Sequence, residues 1–354
     1  ITAGVASLGD LKKLRNIGVK VVGLYALTSA LCVGLGLIMA NIINPGKGFD
    51  LTALSQSTDY EAQAMPSIID MFPSNIFTSF TNTNMLQIIV FSVFLGVALI
   101  MMGKEGERLL AGVQSCANAM YKITAIVMEF SPIGVCALLA DSVGAYGLKI
   151  FGPLGKLILT VYASDVILVL LMYIPMVALL AKFPVKKWLQ GIWKVWVVTA
   201  STTSSSGSLP ITTSVTNDEF GVSSELSSFS LPLGATINMN GGCIYYAAAI
   251  VMTAQIYGMN LTPSALVNII ISTVLVAMGC PGVPGGAIIM TTILTNMGLP
   301  LEIVGLIAGI FRLIDMANTT FNVTGDVVTT MVVARSEGMM HTLGTGAETE
   351  TKAA

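Results

Sequence analysis

The sequence predicts an all-α integral membrane protein, and three observations point there. Of the 354 residues, 54% are hydrophobic and 10% are charged, against about 25% charged in an ordinary soluble domain. No Asp, Glu, Lys or Arg occurs between Glu225 and Glu302, more chain than a soluble fold leaves without a solvating charge. The apolar runs are long and lack the period-2 alternation of a membrane barrel. Backbone polar groups in hydrocarbon must be satisfied internally, so helices remain.

The elements follow in order. A first span is expected over about 17–44, opened by the basic LKKLR and closed by NPGKG. Residues 46–70 are polar and acidic and read as a loop; apolar spans follow at about 75–103, 109–145 and 150–182. Lys12, Lys13 and Arg15, then Lys104 and Arg108, then Lys182, Lys186 and Lys187 mark three loops on one side, and Arg335 fits the same side. An excess of Lys and Arg marks the cytoplasmic face. The N-terminal ITAGVASLGDLKKLRN lacks a signal-peptide layout and reads as the tail of a helix that begins earlier.

Beyond Trp188 the pattern changes. Segment 189–217 is apolar, then hydroxyl-rich in STTSSSGSLP (201–210), then apolar and polar again. Segment 262–300 repeats the scheme around GCPGVPGGA (279–287). Each half-segment is short for about 30 Å of hydrocarbon at about 1.5 Å per residue. Both read as re-entrant helical hairpins, since irregular backbone at membrane depth is tolerated only where it is buried in protein or lines a cavity. Two interrupted segments in corresponding places point to a transporter's central site built from inverted repeats. The competing reading is a pair of kinked helices packed on small residues. The tip hydroxyls and free N–H groups of a hairpin would face a polar, anionic ligand group.

Other classes are disfavoured. The net charge is −2 with no basic block, so nucleic acid is not a partner. Cys32, Cys116, Cys136, Cys243 and Cys280 are scattered in apolar context and read as small buried hydrophobes. The lone histidine, His341, lies past the last apolar segment. No His, and no Lys at the hairpin tip, is placed to activate a serine, so the chain is not read as an enzyme. Asp315 and Asp326 sit inside an apolar stretch, where a carboxylate is expensive and marks function by default.

SSSG (204–207), LPLGATINMNG (231–241), GVPGG (282–286), NTTFNVTGD (318–326) and YALTS (25–29) together resemble the glutamate/aspartate transporter family, the dicarboxylate/amino acid:cation symporters. The likeness runs from about residue 10 to 340. It implies a homotrimer in the cell membrane, surrounded by lipid. A rigid scaffold would hold transport domains that move as elevators, and two further helices would precede Ile1. Residues 1–45 would hold a transport-domain helix, and 46–145 mainly scaffold and trimerisation helices. Residues 150–340 would form the transport domain (helix 150–182, hairpin 189–217, helix 221–257, hairpin 262–300, helix 301–340), with a tail at 341–354.

The resemblance also assigns roles. Ser204, Ser205 and Ser206 would hold a substrate α-carboxylate, Ser205 especially. Gly282, Val283, Pro284 and Gly285 would form a lid. Asp315 would bind the substrate ammonium, with Asn318, Thr319 and Asn322 completing the pocket. Sodium ions, not an organic cofactor, would be the coupling species. Gly234, Asn238, Asn322 and Asp326 would form one sodium site. Thr236 with Ala277, Met278 and Cys280 would form a second, and Thr28, Ser29, Asn238 and Asn240 a third.

Four departures qualify the likeness. Asn318 stands where acidic-substrate members carry the arginine that grips a side-chain carboxylate, and Gly242 where they carry a threonine near it. An amide does not replace a bidentate guanidinium. Asp315 is kept, so the combination favours a neutral amino acid. Asn240 stands for the aspartate of the family's NMDG, and Thr203 for an arginine near the first hairpin tip. Arg312, one turn before Asp315, is the remaining intramembrane arginine; it pairs with Asp315, lines the site or snorkels. The expected function is sodium-coupled symport of an amino acid. The alternatives are a proton-coupled or acidic amino acid carrier using Arg312, and an anion or solute channel.

Overall fold

The computed structural model describes residues 2, 11–49, 72–81, 85–129, 133, 140, 144, 151–279, 290, 291, 293–295, 299 and 301–340. The described residues are almost entirely helical, and an isolated bridge between Val222 and Met340 is their one β contact. The helices are α1 (Leu11–Ile43), α2 (Ile76–Thr81), α3 (Met85–Met101), α4 (Lys104–Glu129), α5 (Phe151–Leu168), α6 (Val185–Thr202), α7 (Leu209–Ser214), α8 (Ser224–Ile237), α9 (Asn240–Ile256), α10 (Pro263–Gly279) and α11 (Glu302–Ser336).

Three apolar stretches are long enough to cross a bilayer: Ile17–Ile43, Gly152–Leu180 and Ile303–Ser336. They fall where the composition places spans. α9 is the centre of the packing. Every residue from Asn240 to Ile256 except Gln255 is buried, and α1, α5, α10 and α11 pack around it. Small residues make this possible, since the run Ala247, Ala248, Ala249 lets neighbouring helices approach closely. The outer faces of α1, α3 and α5 carry exposed Leu31, Ile38, Phe94, Leu159 and Leu171, the apolar surface expected against lipid.

α5 does not end at Leu168 but widens. Two π-helical turns, Val169–Tyr173 and Met176–Leu180, flank Pro175, which has no N–H to offer the ladder. Ile174 N donates to Val169 O, and Ala181 N to Met176 O at 2.9 Å. Such wide turns recur at functional positions, and the first of them places Tyr173.

α6, a turn and α7 form a helix–turn–helix, continued by a π-helical turn over Val215–Glu219. α6 ends on Thr203 at φ +48, a left-handed conformation that is rare for a β-branched residue. In the second interrupted segment the first arm is α10; the tip, 280–289, lies outside the described residues. The helix expected over 221–257 is two helices, α8 and α9. The cysteines also divide. Cys32 and Cys243 are buried as expected, Cys116 is exposed on α4 rather than buried, and Cys136 and Cys280 lie outside the described residues.

Candidate functional site

The break between α8 and α9 creates the site. The last backbone bond of α8 runs from Asn238 N to Gly234 O at 2.8 Å. Asn238 is extended (φ −101, ψ 102) and Met239 lies outside the helical region (φ −117, ψ 52). A helix start leaves N–H groups without intrahelical acceptors. Here Gly241 N and Gly242 N donate to Asn322 Oδ1 of α11, at 2.8 and 3.3 Å. A side chain of one helix thus caps another inside the membrane.

Polar side chains from α1, α5, α8, α9 and α11 converge on the break. Asn238 Nδ2 donates to Asp326 Oδ1 at 2.7 Å and to Asn322 O at 3.3 Å. Tyr25 Oη donates to Ser230 O at 3.0 Å, Ser230 Oγ meets Thr330 Oγ1 at 2.7 Å, and Thr330 Oγ1 donates to Asp326 O at 2.7 Å. Ser29 Oγ donates to Asn240 Oδ1 at 3.1 Å, and Asn240 Nδ2 to Tyr173 Oη at 3.0 Å. Tyr173 Oη, at the end of the widened turn, donates to Phe321 O at 2.7 Å.

Two glycines provide the room. A Cβ on Gly234 would stand 2.5 Å from Asp326 Oδ1 and 2.6 Å from Tyr25 Oη. One on Gly325 would stand 2.5 Å from Asn240 Nδ2 and 2.8 Å from Tyr173 Oη. Asp326 is 2% exposed and has an amide, not a cation, as its partner. The ion pairs among the described residues lie elsewhere, Lys20–Glu337 and Lys194–Glu219, between partly exposed side chains. Asn238 Oδ1 is buried without a hydrogen-bond partner among the described residues. A carboxylate beside an orphaned amide oxygen suits a small hard cation, which takes oxygen ligands.

The sequence-based ion sets fare differently. Gly234, Asn238, Asn322 and Asp326 come together, although the Asn322 side-chain oxygen is engaged as the cap of α9. Ser29 and Asn240 meet, whereas Thr28 Oγ1 turns back to Tyr25 O at 3.2 Å. Both ends of the Asn240 amide are occupied. The Thr236 hydroxyl donates to Pro232 O at 3.0 Å. α10, which carries Ala277 and Met278, packs against α8, while Cys280 lies outside the described residues.

On α11, Asp315, Asn318, Thr319, Asn322 and Asp326 recur at helical spacing along one side. Asp315 is bonded to Thr319 and lies within electrostatic reach of Arg312. Arg312 itself is exposed. Asn318 is 3% exposed and its Oδ1 has no hydrogen-bond partner among the described residues. α6 packs along the same helix: Trp196 Nε1 donates to Thr324 Oγ1 at 2.8 Å, and Thr199 Oγ1 to Thr320 Oγ1 at 3.1 Å. In the turn, Gly207 N donates to Ser204 Oγ at 3.0 Å. Ser208 Oγ donates to Ser204 O and Ser205 O, at 3.0 and 2.9 Å. Ser205 and Ser206 are not fully buried. Val283 and Gly285, with Gly282 and Pro284, lie outside the described residues.

Sequence reasoning missed Asp165. It is 0% exposed, and neither carboxylate oxygen has a hydrogen-bond partner among the described residues. The signal was present: YASDV puts a carboxylate inside an apolar run. Tyr173, Ser230 and Thr330 were also missed, since single hydroxyls in apolar helices carry no spacing signature; Tyr25 stood in the YALTS motif but was given no role.

A helical membrane protein whose polar groups gather at a broken helix, around buried carboxylates and amides, has the make-up of a carrier for small polar solutes. Residues 1–336 match the family model described as the sodium:dicarboxylate symporter family, and the chain belongs to that family. It is 33% identical to the proton/glutamate-aspartate symporter of Bacillus subtilis (strain 168), over 95% of this chain and 83% of that protein. It is 32% identical to the proton/sodium-glutamate symport protein of Geobacillus stearothermophilus, over 96% of this chain and 82% of that one. It is 28% identical to a C4-dicarboxylate transport protein of B. subtilis (strain 168), over 95% and 82%. The resemblance read from the motifs therefore holds. The protein is an integral plasma-membrane transporter and not an enzyme.

Proposed function

We propose that this chain imports an amino acid with an uncharged side chain, drawn inward by a cation gradient. The observation that carries the substrate reading is Asn318. It is buried on the same side of α11 as Asp315, with Oδ1 unpartnered. It offers an amide where the family's acidic-substrate members have a guanidinium. Asp315 remains to balance a substrate ammonium, and the hydroxyls and backbone N–H groups of the 203–208 turn would take its carboxylate. Sodium is the proposed ion at Asp326 and Asn238, where a carboxylate and an orphaned amide oxygen lie together. The two interrupted segments would act as re-entrant hairpins in a trimeric elevator.

A second reading has support in the relatives, which include proteins named as proton- and sodium-coupled carriers of glutamate and aspartate. Arg312, in electrostatic reach of Asp315, would then receive the side-chain carboxylate. Proteoliposomes decide between them. Labelled L-alanine, L-serine, L-threonine, L-aspartate, L-glutamate and succinate are presented with inward sodium or proton gradients. Saturable accumulation of the neutral amino acids supports the first reading. Accumulation confined to aspartate, glutamate or succinate removes it. Downhill flux without accumulation indicates a channel.

A further inference from the structure

Asp165 belongs to none of the ion sets described above. It lies near the middle of the 29-residue apolar stretch Gly152–Leu180. It occupies the inward face of α5 with Leu157, Val161 and Leu168, all buried. α1, α9 and α11 pack against this helix. A carboxylate here is costly unless it is paired or neutralised, and among the described residues neither of its oxygens has a hydrogen-bond partner.

The charged and titratable groups around it are few. On its own helix Tyr162 and Tyr173 lie within electrostatic reach, and on α1 so does Cys32. On α9, Cys243 sits beside Cys32. α11 carries Arg312, Asp315 and Asp326, and none of these forms an ion pair or hydrogen bond with Asp165. Lys156, two turns earlier on α5, is turned away to Lys47 O at 3.1 Å.

This environment selects among cations. A hard metal ion takes several oxygen ligands; among the described residues no hydroxyl or N–H group is hydrogen-bonded to this carboxylate, and no cluster of further carboxylates, cysteines or histidines gathers to complete a metal site. A proton needs one oxygen lone pair, which the carboxylate itself supplies. Tyr173 joins Asp165 to the centre: it feels the Asp165 charge and bonds Asn240 Nδ2 at 3.0 Å. Asn240 occupies the position where the family motif has a carboxylate.

We propose that Asp165 is a proton-binding site, and that one proton carried there crosses with each substrate. On the outer side an O–H bond of hydronium breaks as one forms on the Asp165 carboxylate, leaving water; on the inner side that bond breaks and the proton passes to water as hydronium. Asp165 thereby supplies, one helix away, a titratable charge in place of the one that Asn240 lacks. The inference rests on the symporter reading above but not on the identity of the substrate.

The test uses the full chain in proteoliposomes with the same labelled panel. An inward gradient of one pH unit, without a sodium gradient, is expected to drive about ten-fold accumulation for one proton per substrate. Asp165→Asn mimics the protonated side chain permanently. It is expected to retain substrate exchange and to lose accumulation driven by the pH gradient. Unaltered pH-driven accumulation in Asp165→Asn overturns the proposal. So does an unmodified protein that accumulates solute on a sodium gradient but not on a pH gradient. Should Asp165→Asn lose exchange as well, Asp165→Glu decides: a displaced pH profile of exchange supports the site, and an unchanged profile overturns it. If the unmodified protein exchanges no labelled solute under any gradient, the symporter reading itself fails, and the coupling role with it.

Discussion

Asn238 Nδ2 donates to Asp326 Oδ1 at 2.7 Å across the break between α8 and α9. That one contact joins the two features that define the centre of this transporter, an interrupted helix and a buried carboxylate. It leaves Asn238 Oδ1 without a hydrogen-bond partner among the described residues, next to the carboxylate at which a cation is proposed.

Gly234 is the position at which packing and the proposed ion site lie closest together. A methyl there would stand 2.5 Å from Asp326 Oδ1, closer than any van der Waals contact. Overpacking of a well-filled interior costs about 1–3 kcal/mol. Gly234→Ala is expected to lower the thermal unfolding midpoint and to weaken sodium binding by about ten-fold or more, since each 1.4 kcal/mol is ten-fold. Sodium-dependent thermal shift measures both. A variant with unaltered sodium response would show that Asp326 is not an ion ligand.

Asp315 is expected to be indispensable for amino acids and dispensable for the fold. It is bonded to Thr319, within its own helix, so Asp315→Asn leaves the packing intact. Asp315 is half-buried, and a charge-assisted hydrogen bond is worth about 1.5–3 kcal/mol, equivalent to a loss of about ten-fold or more in amino acid affinity. Equilibrium binding of labelled amino acids to the purified variant tests this. Near-native affinity would remove the ammonium role.

Asn318→Arg is expected to shift preference toward aspartate and glutamate by about ten-fold or more, because a charge-assisted bidentate grip is worth about 1.5–3 kcal/mol. The unpartnered Oδ1 means that no existing bond is sacrificed there. Gly242 limits the gain. A Cβ on it would lie 3.3 Å from the Tyr246 ring, so a threonine at 242 requires Tyr246 to give way. Competition between labelled serine and unlabelled aspartate, in the variant and the unmodified protein, gives the ratio. Tight aspartate binding by the unmodified protein would overturn the neutral-substrate reading.

Much of this was legible in the sequence, for identifiable reasons. Spans such as 17–43 announce themselves because every backbone group in lipid must be bonded within the helix, which forces long apolar runs. The grouping of Gly234, Asn238 and Asp326 was legible only through motif resemblance, because residues so far apart in the chain meet by folding. The break at Asn238–Met239 lies in TINMNGG, where asparagines and glycines weaken a helix, but the long apolar runs on either side of that short stretch read as one helix over 221–257. Asp165 was overlooked although it obeys the rule that flagged Asp315 and Asp326, since no motif surrounds it.

The last expectation concerns Asn240. Its amide is engaged at both ends, accepting from Ser29 Oγ at 3.1 Å and donating to Tyr173 Oη at 3.0 Å. An amide oxygen already holding a hydroxyl offers a cation only a residual dipole. A carboxylate at the same place would add a full charge, worth about 4 kcal/mol at 4 Å with an effective dielectric constant of about 20. The third sodium site is therefore expected to be weak in this protein. Asn240→Asp keeps the shape of the side chain and restores the charge, and Tyr173 can turn its hydroxyl to donate to the new oxygen. The variant is expected to bind sodium at least about ten-fold more tightly and to move one more sodium ion per substrate than the unmodified protein. Reversal potentials in vesicles with fixed sodium gradients count the ions directly. Three sodium ions per substrate in the unmodified protein would refute the weakened site. A complete lack of sodium dependence would remove the ion role of Asp326 as well, leaving a proton as the coupling species.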